Sequence, residues 1–291
     1  MPMKNFVYYE PENIVQALEK KVSSGNKAQF LAGGTDLLVR MKRGLLAPTH
    51  VINLKSITGL KEIHADNELK MLRIGSLVTL AEVESSPIVA KYCPLLVDTV
   101  SKMASPQIRS IATLGGNICS ASPAADTAPV LLAQDSLVKV ESMDVGRTVP
   151  IKEFFVGPGQ TIIKENELLG EVLIPWASPN SAASYIKYGV RKSLEIAMVG
   201  VAACLNLQEN GCVEKARIAL GAVAPTPIRA FAAESLLQGK KLNGSVIEEA
   251  INTSASEAKP ISDHRGSATY RKEMVKVLVR RAINECAAKL Q

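Results

Sequence analysis

The stretches Leu31-Ala32-Gly33-Gly34-Thr35-Asp36-Leu37 and Thr113-Leu114-Gly115-Gly116-Asn117-Ile118 decide the fold of this 291-residue chain. The first follows an apolar run at 28–32 that predicts a strand, and it opens a predicted helix at 35–42. The second, about eighty residues later, is predicted to be a strand that its glycines interrupt. Glycine lacks Cβ and allows close approach to the backbone, and successive backbone N–H groups form anion-binding nests. Two such nests facing each other would suit a diphosphate.

Neither loop carries a standard nucleotide fingerprint. No Gly-Lys-Ser/Thr follows either glycine pair, and neither has GxGxxG spacing, which argues against a P-loop NTPase and an ordinary Rossmann NAD site. Each glycine pair can therefore still be interpreted as a tight turn with no bound ligand. Asp126, nine residues after Asn117, has two interpretations. It is either a carboxylate that binds a ribose hydroxyl or the N-cap of a helix at 127–133.

Working outward from the first loop, a strand at 6–9 and a helix capped by Asn13 precede it. A strand at 51–54 then completes a βαβ-type unit. Helices are predicted at 80–84 and 95–103. The further strands predicted before residue 177 lie at 63–65, 70–74, 136–140, 148–150, 160–163 and 171–174.

The polar, Pro-containing stretch at 177–181 predicts a domain boundary. The predicted domains are therefore 1–177, with parts at about 1–57 and 58–177, and 178–291. Alternating runs in the second domain predict three antiparallel strands, with Asn210-Gly211 as the hairpin between the last two. The fold class is α+β. The strands predicted there are 184–188, 197–207 and 215–222, and the helices are 228–237, 245–258 and 268–290.

The composition excludes several classes of protein. Apolar residues make up 47% of the chain and charged residues 21%, a balance typical of a globular fold. No window of eighteen apolar residues exists, so no membrane span is expected. Five dispersed cysteines and three histidines favour reducing cytoplasm and argue against a disulfide framework or a metal cluster. The net charge of +6 is scattered and aromatics make up 4%, which gives no support to nucleic-acid binding.

The two glycine motifs, in this order and at this separation, resemble the FAD-binding medium subunit of the molybdenum hydroxylases, the xanthine dehydrogenase and carbon monoxide dehydrogenase family. The likeness covers nearly the whole chain. It implies a two-subdomain FAD-binding domain of the vanillyl-alcohol-oxidase (PCMH) type and a C-terminal three-stranded antiparallel sheet with helices. Further matching stretches are Phe154-Phe155-Val156-Gly157-Pro158-Gly159, Lys187 with Arg191 and Glu195-Ile196-Ala197, Ala224-Pro225-Thr226-Pro227-Ile228-Arg229 and Tyr270-Arg271.

The resemblance also implies roles for individual residues. Both glycine motifs would hold the FAD pyrophosphate, Ser120 and Asp126 would contact the ribose and nearby phosphate, and Lys187 would lie near the flavin. Leu168 and Leu169 match positions that pack on the adenine side. The implied FAD-binding residues are Leu31, Ala32, Gly33, Gly34, Thr35, Asp36, Leu37, Thr113, Leu114, Gly115, Gly116, Asn117, Ser120, Asp126, Leu168, Leu169 and Lys187.

The function implied by the resemblance is electron transfer within a multi-subunit enzyme. Electrons would come from a molybdopterin-containing large subunit through [2Fe–2S] clusters on a small subunit, and would pass to NAD⁺ or another acceptor. The chain lacks any paired-carboxylate, Ser/His/Asp or Cys/His constellation, as expected where a cofactor performs the redox step. A stand-alone FAD-dependent oxidoreductase and a non-enzymatic nucleotide- or anion-binding module remain the alternatives.

Overall fold

The computed structural model describes residues 3–191 and 194–290. Its strands form three main sheets and one two-stranded ribbon. The strands are β1 (Val7–Tyr9), β2 (Ala28–Leu31), β3 (His50–Asn53), β4 (Ile63–Asp66), β5 (Met71–Gly75), β6 (Leu137–Ser142), β7 (Arg147–Pro150), β8 (Phe155–Gly157), β9 (Gln160–Thr161), β10 (Glu167–Pro175), β11 (Ser181–Tyr188), β12 (Val199–Leu207), β13 (Val213–Gly221) and β14 (Ile228–Arg229). The α-helices are α1 (Ile14–Ser24), α2 (Leu37–Lys42), α3 (Leu80–Ser85), α4 (Pro87–Tyr92), α5 (Pro94–Ser101), α6 (Pro106–Arg109), α7 (Leu114–Cys119), α8 (Thr127–Ala133), α9 (Phe231–Leu237), α10 (Gly244–Glu257) and α11 (Ala268–Lys289).

The first sheet is parallel and has the strand order β1-β3-β2. Helix α1 buries Ala17 and Leu18 against it, because the two residues lie on one face of the helix. Asn13 caps α1 as predicted, accepting a hydrogen bond from the Gln16 N–H at 3.0 Å. Strand β2, the first glycine pair and helix α2 follow one another as predicted.

The second sheet is antiparallel, in the order β4-β5-β10-β6-β7. Strands β4 and β5 form the predicted hairpin. Leu72, Val138 and Val172, from three adjacent strands, are fully buried in one cluster with residues of α3, α5 and α8. This cluster is the main core of the N-terminal part of the molecule. No helix in the described part of the chain is long and apolar enough to cross a membrane.

The third sheet, β11-β12-β13-β14, is buried on both faces, which explains the nearly continuous apolar run of β12. Val201 and Ala203 face the core formed with α9, α10 and α11. Ala202 and Cys204 face the core that contains α8. The sheet therefore joins the N-terminal part of the molecule to the C-terminal helices. The predicted three-stranded meander is present, and β14 adds a short fourth strand.

The second glycine motif is a helix, and its prediction as a strand was wrong. Thr113 adopts an extended conformation and its side chain accepts a hydrogen bond from the Gly116 N–H at 2.9 Å. This cap satisfies one of the donors that begin a helix, so α7 starts at Leu114. A short apolar run interrupted by glycine does not by itself distinguish the two structures.

The structure also corrects one predicted boundary and adds a helix. The helix predicted at 228–237 begins only at Phe231, because Ile228 and Arg229 pair with Leu220 and Ala219 as strand β14. Helix α4 was not predicted at all. Its cap is Ser86, whose side chain accepts a hydrogen bond from the Val89 N–H, and Pro87 stands at its first position.

An ionic network connects the turn after α8 to the third sheet. The carboxylate of Asp135 accepts hydrogen bonds from Lys215 Nζ at 2.6 Å and from Arg229 Nη1 at 2.6 Å. Arg217 Nη1 lies 3.4 Å from the same carboxylate. Burial favours the protonated acid, but the hydrogen bonds and charges of Lys215 and Arg229 outweigh it and hold the pKa of Asp135 at about 2.

We expect Asp135→Asn to reduce the acid sensitivity of the fold. In the folded protein the pKa of Asp135 lies below its ordinary value of 3.8. The ionised Asp135 therefore stabilises the fold above pH 3.8, and this stabilisation is lost as the pH falls towards about 2. The free energy of unfolding in urea, measured across this pH range, should depend less steeply on pH in the variant than in the unsubstituted chain. Asn tolerates the positive φ of 53° at this position. Asp144→Asn, at an exposed position, is the control. If both variants changed the pH dependence of the unfolding free energy equally, the stabilising role of ionised Asp135 would be contradicted.

Candidate functional site

A cleft with a volume of 610 Å³ lies between the first and second sheets, within the range of small-molecule sites. Leu31 and Leu114 are predicted site residues that do not line it; both side chains are buried in hydrophobic clusters. Asp126 and Lys187 lie outside the cleft lining. The predicted residues that line the cleft are Ala32, Gly33, Gly34, Thr35, Asp36, Leu37, Thr113, Gly115, Gly116, Asn117, Ser120, Leu168 and Leu169.

The first glycine loop offers free backbone donors to the cleft. The N–H groups of Gly33, Gly34 and Thr35 make no backbone hydrogen bond with the described residues. Gly34 has a φ of +81°, a conformation that a side chain would strain. Consecutive unpaired amides in such a turn form a concave anion site. This loop therefore agrees with the predicted nest.

The second glycine loop is not a nest of free amides. The Leu114 N–H donates to Val78 O at 2.9 Å, and the Gly115 N–H donates to Ser76 O at 3.0 Å. The Gly116 N–H donates to Thr113 Oγ1. This loop instead offers side-chain hydrogen-bonding groups to the cleft, namely the hydroxyl of Thr113 and the amide of Asn117.

The side chain of Asn117 is oriented by a neighbour. Its Oδ1 accepts a hydrogen bond from Thr127 Oγ1 at 2.6 Å. The amide NH₂ is therefore left as the donor group, and it has no protein acceptor among the described residues. Ser120, one turn further along, lines the cleft and donates its hydroxyl to Asn117 O at 2.7 Å.

The two glycine loops meet across the cleft. A Cβ on Gly33 would lie 2.1 Å from the carbonyl oxygen of Ile111, and a Cβ on Gly116 would lie 3.8 Å from Cβ of Ala32. A Cβ on Gly115 would lie 2.5 Å from the Ser76 backbone oxygen. Glycine is thus required at positions 33 and 115 because backbone approaches backbone there.

Leu168 and Leu169 form an apolar wall of the same cleft. Consecutive residues of a strand point to opposite faces, so the side chain of Leu168 packs in the cluster that contains Leu18 of α1, and that of Leu169 in the cluster that contains α8. Both leucines line the cleft, at 3% and 4% exposure. Their contact with the adenine stays a prediction.

Asp126 is engaged with the third sheet. Its Oδ1 accepts a hydrogen bond from the Tyr185 hydroxyl at 2.6 Å, and its Oδ2 accepts one from Lys187 Nζ at 2.8 Å. Burial, and then the Asp126 charge, raise the pKa of Tyr185 well above its usual range, so the phenol remains protonated and donates. Asp126 stands at the N-cap position of α8, but its side chain caps nothing, so the capping alternative is wrong.

Three further residues belong to this region, although sequence reasoning missed them. Ser76 lines the cleft at 5% exposure, and its hydroxyl has no hydrogen-bond partner in the part of the chain that the structure describes. Lys21 lines the far end and donates to Ala28 O at 2.8 Å; burial lowers its pKa. Of the three, only Tyr185 could have been predicted from the sequence. It lies two residues before Lys187 on a predicted strand, so both side chains are expected on the same face.

Three parts of the cleft fit a dinucleotide. The free amides of the first loop suit phosphate, Thr113 and Asn117 of the second loop add side-chain donors, and the buried Ser76 hydroxyl, unpartnered among the described residues, lies near an apolar wall. Together with the fold, they define a dinucleotide-binding protein of the two-lobed flavoprotein class.

The chain belongs to the family of FAD-binding medium subunits of the molybdenum hydroxylases, the xanthine dehydrogenase and carbon monoxide dehydrogenase family, and is an oxidoreductase subunit. Residues 4–177 match the family model of the FAD binding domain in molybdopterin dehydrogenase. Residues 184–286 match that of the CO dehydrogenase flavoprotein C-terminal domain.

Relatives cover both domains. The carbon monoxide dehydrogenase medium chain of Hydrogenophaga pseudoflava is 32% identical over 284 residues, 98% of each chain. The xanthine dehydrogenase FAD-binding subunit of Escherichia coli O157:H7 is 30% identical over 282 residues, 97% of this chain and 96% of the relative. The solved carbon monoxide dehydrogenase from Hydrogenophaga pseudoflava superposes with a TM-score of 0.95 at 32% identity and covers 99% of both chains. These similarities confirm the predicted family, fold class and cofactor.

Proposed function

We propose that this chain is the electron-transfer flavoprotein subunit of a multi-subunit molybdenum hydroxylase. It takes electrons from [2Fe–2S] clusters on a small subunit, which receives them from a molybdopterin-containing large subunit, and passes them to NAD⁺ or another acceptor. FAD, when bound, supplies the one- and two-electron redox chemistry. The observation that carries the proposal is the meeting of the two glycine loops across one cleft, with three free amides on one side.

The pyrophosphate of FAD is held by different chemistry on each side. The amides of Gly33, Gly34 and Thr35 donate to one phosphate. Thr113 and Asn117 donate from their side chains to the other, and the Thr127 hydroxyl fixes the orientation of Asn117. Each hydrogen bond to a charged group contributes about 1.5–3 kcal/mol. Four or five of them are sufficient for about micromolar binding before either ring is buried.

The adenosine end of FAD packs against Leu168 and Leu169, and Ser76 and Ser120 supply hydroxyls beside it. Both leucines are almost fully packed within the protein, so the apolar contact that they offer the ring is small and rigid. The partnerless hydroxyl of Ser76 gains an acceptor or a donor there.

Lys187 provides a fixed positive charge toward the flavin end. Asp126 fixes the Lys187 ammonium, and the hydrogen bond from Tyr185 fixes Asp126 in turn. Asp126 is thus a positioning residue that acts through Lys187. A positive charge near a flavin ring stabilises added negative charge during reduction.

The predicted domain division at 177/178 and a cytoplasmic location are also part of the proposal. Two measurements test the assignment. The purified chain should bind one FAD and should bind FMN, which lacks the second phosphate and the adenosine, far more weakly. Affinity purification from the native host should recover chains that contain molybdenum and iron. Equal binding of FMN would contradict the double-loop site, and turnover of a small organic donor by the isolated chain would favour the stand-alone alternative.

We expect Asn117→Ala to weaken FAD binding by about tenfold or more, because one oriented donor to a charged phosphate is lost. Quenching of flavin fluorescence on binding measures the dissociation constant. Asn252→Ala removes the same side chain from an exposed position on α10 and should leave it unchanged. An Asn117→Ala chain of normal thermal stability and normal FAD affinity would show that Asn117 does not contact the cofactor.

A further inference from the structure

A second cavity, with a volume of 390 Å³, lies where the FAD-binding domain meets the C-terminal domain. It is lined by the α4–α5 corner, the end of α8, the segment after β10, the strands β11, β12 and β13, and the end of α11. It shares no lining residue with the cleft between the glycine loops. Nothing in the proposed electron-transfer function uses it.

One wall of this cavity is a stacked aromatic pair. The rings of Tyr92 and Trp176 have centroids 4.5 Å apart and planes inclined by 25°. Trp176 is the single tryptophan of the chain. Leu95, Ala183 and Cys204 add apolar surface around the pair. Flat apolar walls of this kind fit a flat ring.

Several polar groups of the cavity lining lack protein partners. The side-chain amide of Gln134, a residue 9% exposed, makes no hydrogen bond with the described residues. Trp176 Nε1 and Arg217 Nε are buried and also unpartnered. A buried polar group without a partner costs about 1–3 kcal/mol. The Gln134 amide is the unpartnered group that remains open to the cavity, and a ligand that supplies an acceptor there would satisfy it.

The charges of the lining favour an anion. Arg217 and Lys289 contribute two positive charges. Asp135 lies 3.4 Å from Arg217 Nη1, but its carboxylate is shared with Arg229. Asp98 stands at the rim and is already paired with Lys102 at 2.7 Å. The Arg217 guanidinium is held by Asn206 Oδ1 at 2.8 Å, so its direction is fixed before a ligand arrives.

We propose that this cavity binds a planar aromatic carboxylate. The ring packs against Trp176, and the carboxylate accepts a hydrogen bond from the side-chain amide of Gln134, with Arg217 and Lys289 adding positive charge. Because both domains contribute to the lining, the ligand binds the joined form and stabilises it by mass action. The site is independent of FAD binding.

Benzoate is the probe, and Trp176 is the reporter, because all tryptophan fluorescence of the chain arises at this cavity. Titration of the full-length chain should give a saturable change in tryptophan emission. Benzamide, which is flat but neutral, and cyclohexanecarboxylate, which is charged but not flat, should each bind at least about tenfold more weakly. No saturable change, or equal binding of benzamide, would overturn the proposal.

Two substitutions locate the bound probe. Gln134→Leu and Lys289→Met should each weaken benzoate binding several-fold, whereas Lys272→Met, the same change elsewhere on α11, should not. Calorimetry on the FAD-loaded chain should give the same benzoate affinity as on the chain without FAD. Competition between benzoate and FAD, or affinities unchanged in both cavity variants, would refute binding at this site.

Discussion

Gly33→Ala is expected to yield a chain that carries no FAD after purification. The added Cβ would lie 2.1 Å from the carbonyl oxygen of Ile111 and 2.9 Å from Cα of Ala112. Both are backbone atoms, so no side-chain rotation relieves the clash, and the two loops must separate. Separation moves the free amides of Gly33 and Gly34 away from the donors of Thr113 and Asn117, and the pyrophosphate loses one side of its site.

The control for this prediction is Gly59→Ala. A Cβ on Gly59 meets nothing within 4 Å, and its φ is not in the left-handed region, so FAD content and affinity should equal those of the unsubstituted chain. Gly116→Ala is a graded case: its nearest obstacle is the Thr113 hydroxyl at 2.9 Å, and it should weaken binding without abolishing it. Thermal unfolding of each FAD-free chain separates loss of binding from loss of fold. A folded Gly33→Ala chain with normal FAD affinity would refute the double-loop site.

The first loop and the third sheet could be predicted from sequence because their signals are local. An apolar run, two glycines and a helix start follow one another at 28–42. The apolar run forms β2, and the helix start forms α2. The continuous apolar run of β12 likewise has one simple structural reading, a strand buried on both faces.

The second loop could not be read in the same way, because distant residues decide its structure. The Gly115 N–H is taken by Ser76 O, and the Leu114 N–H by Val78 O, so the predicted nest has no free amides. The hydrogen bond between Asn117 and Thr127, and the pairing of Asp126 with Lys187, are also tertiary. Sequence alone therefore identified many of the residues that line the cleft, but it missed Ser76 and Lys21 and did not show which atoms the loop residues offer.

Arg229→Met is expected to destabilise the fold by about 3–5 kcal/mol, because it leaves the buried carboxylate of Glu234 without its cation. The Arg229 side chain is 5% exposed, and that of Glu234, its bidentate partner, is 9% exposed. Arg229 Nη1 also donates to Leu132 O at 3.0 Å and to Asp135, so the guanidinium connects α8 to β14 and α9.

The free energy of unfolding in urea measures this loss, and Arg280→Met is the matched control. Arg280 pairs with Glu248 on the surface, where the two side chains are 45% and 52% exposed, and such pairs contribute about 0–1 kcal/mol. Replacing Glu234 as well, in Arg229→Met/Glu234→Gln, removes the uncompensated charge and keeps an amide oxygen for the Ile218 N–H. The double variant should therefore recover part of the stability that the single variant loses. A single variant no less stable than Arg280→Met would mean that the buried Arg229–Glu234 pair does not stabilise the fold.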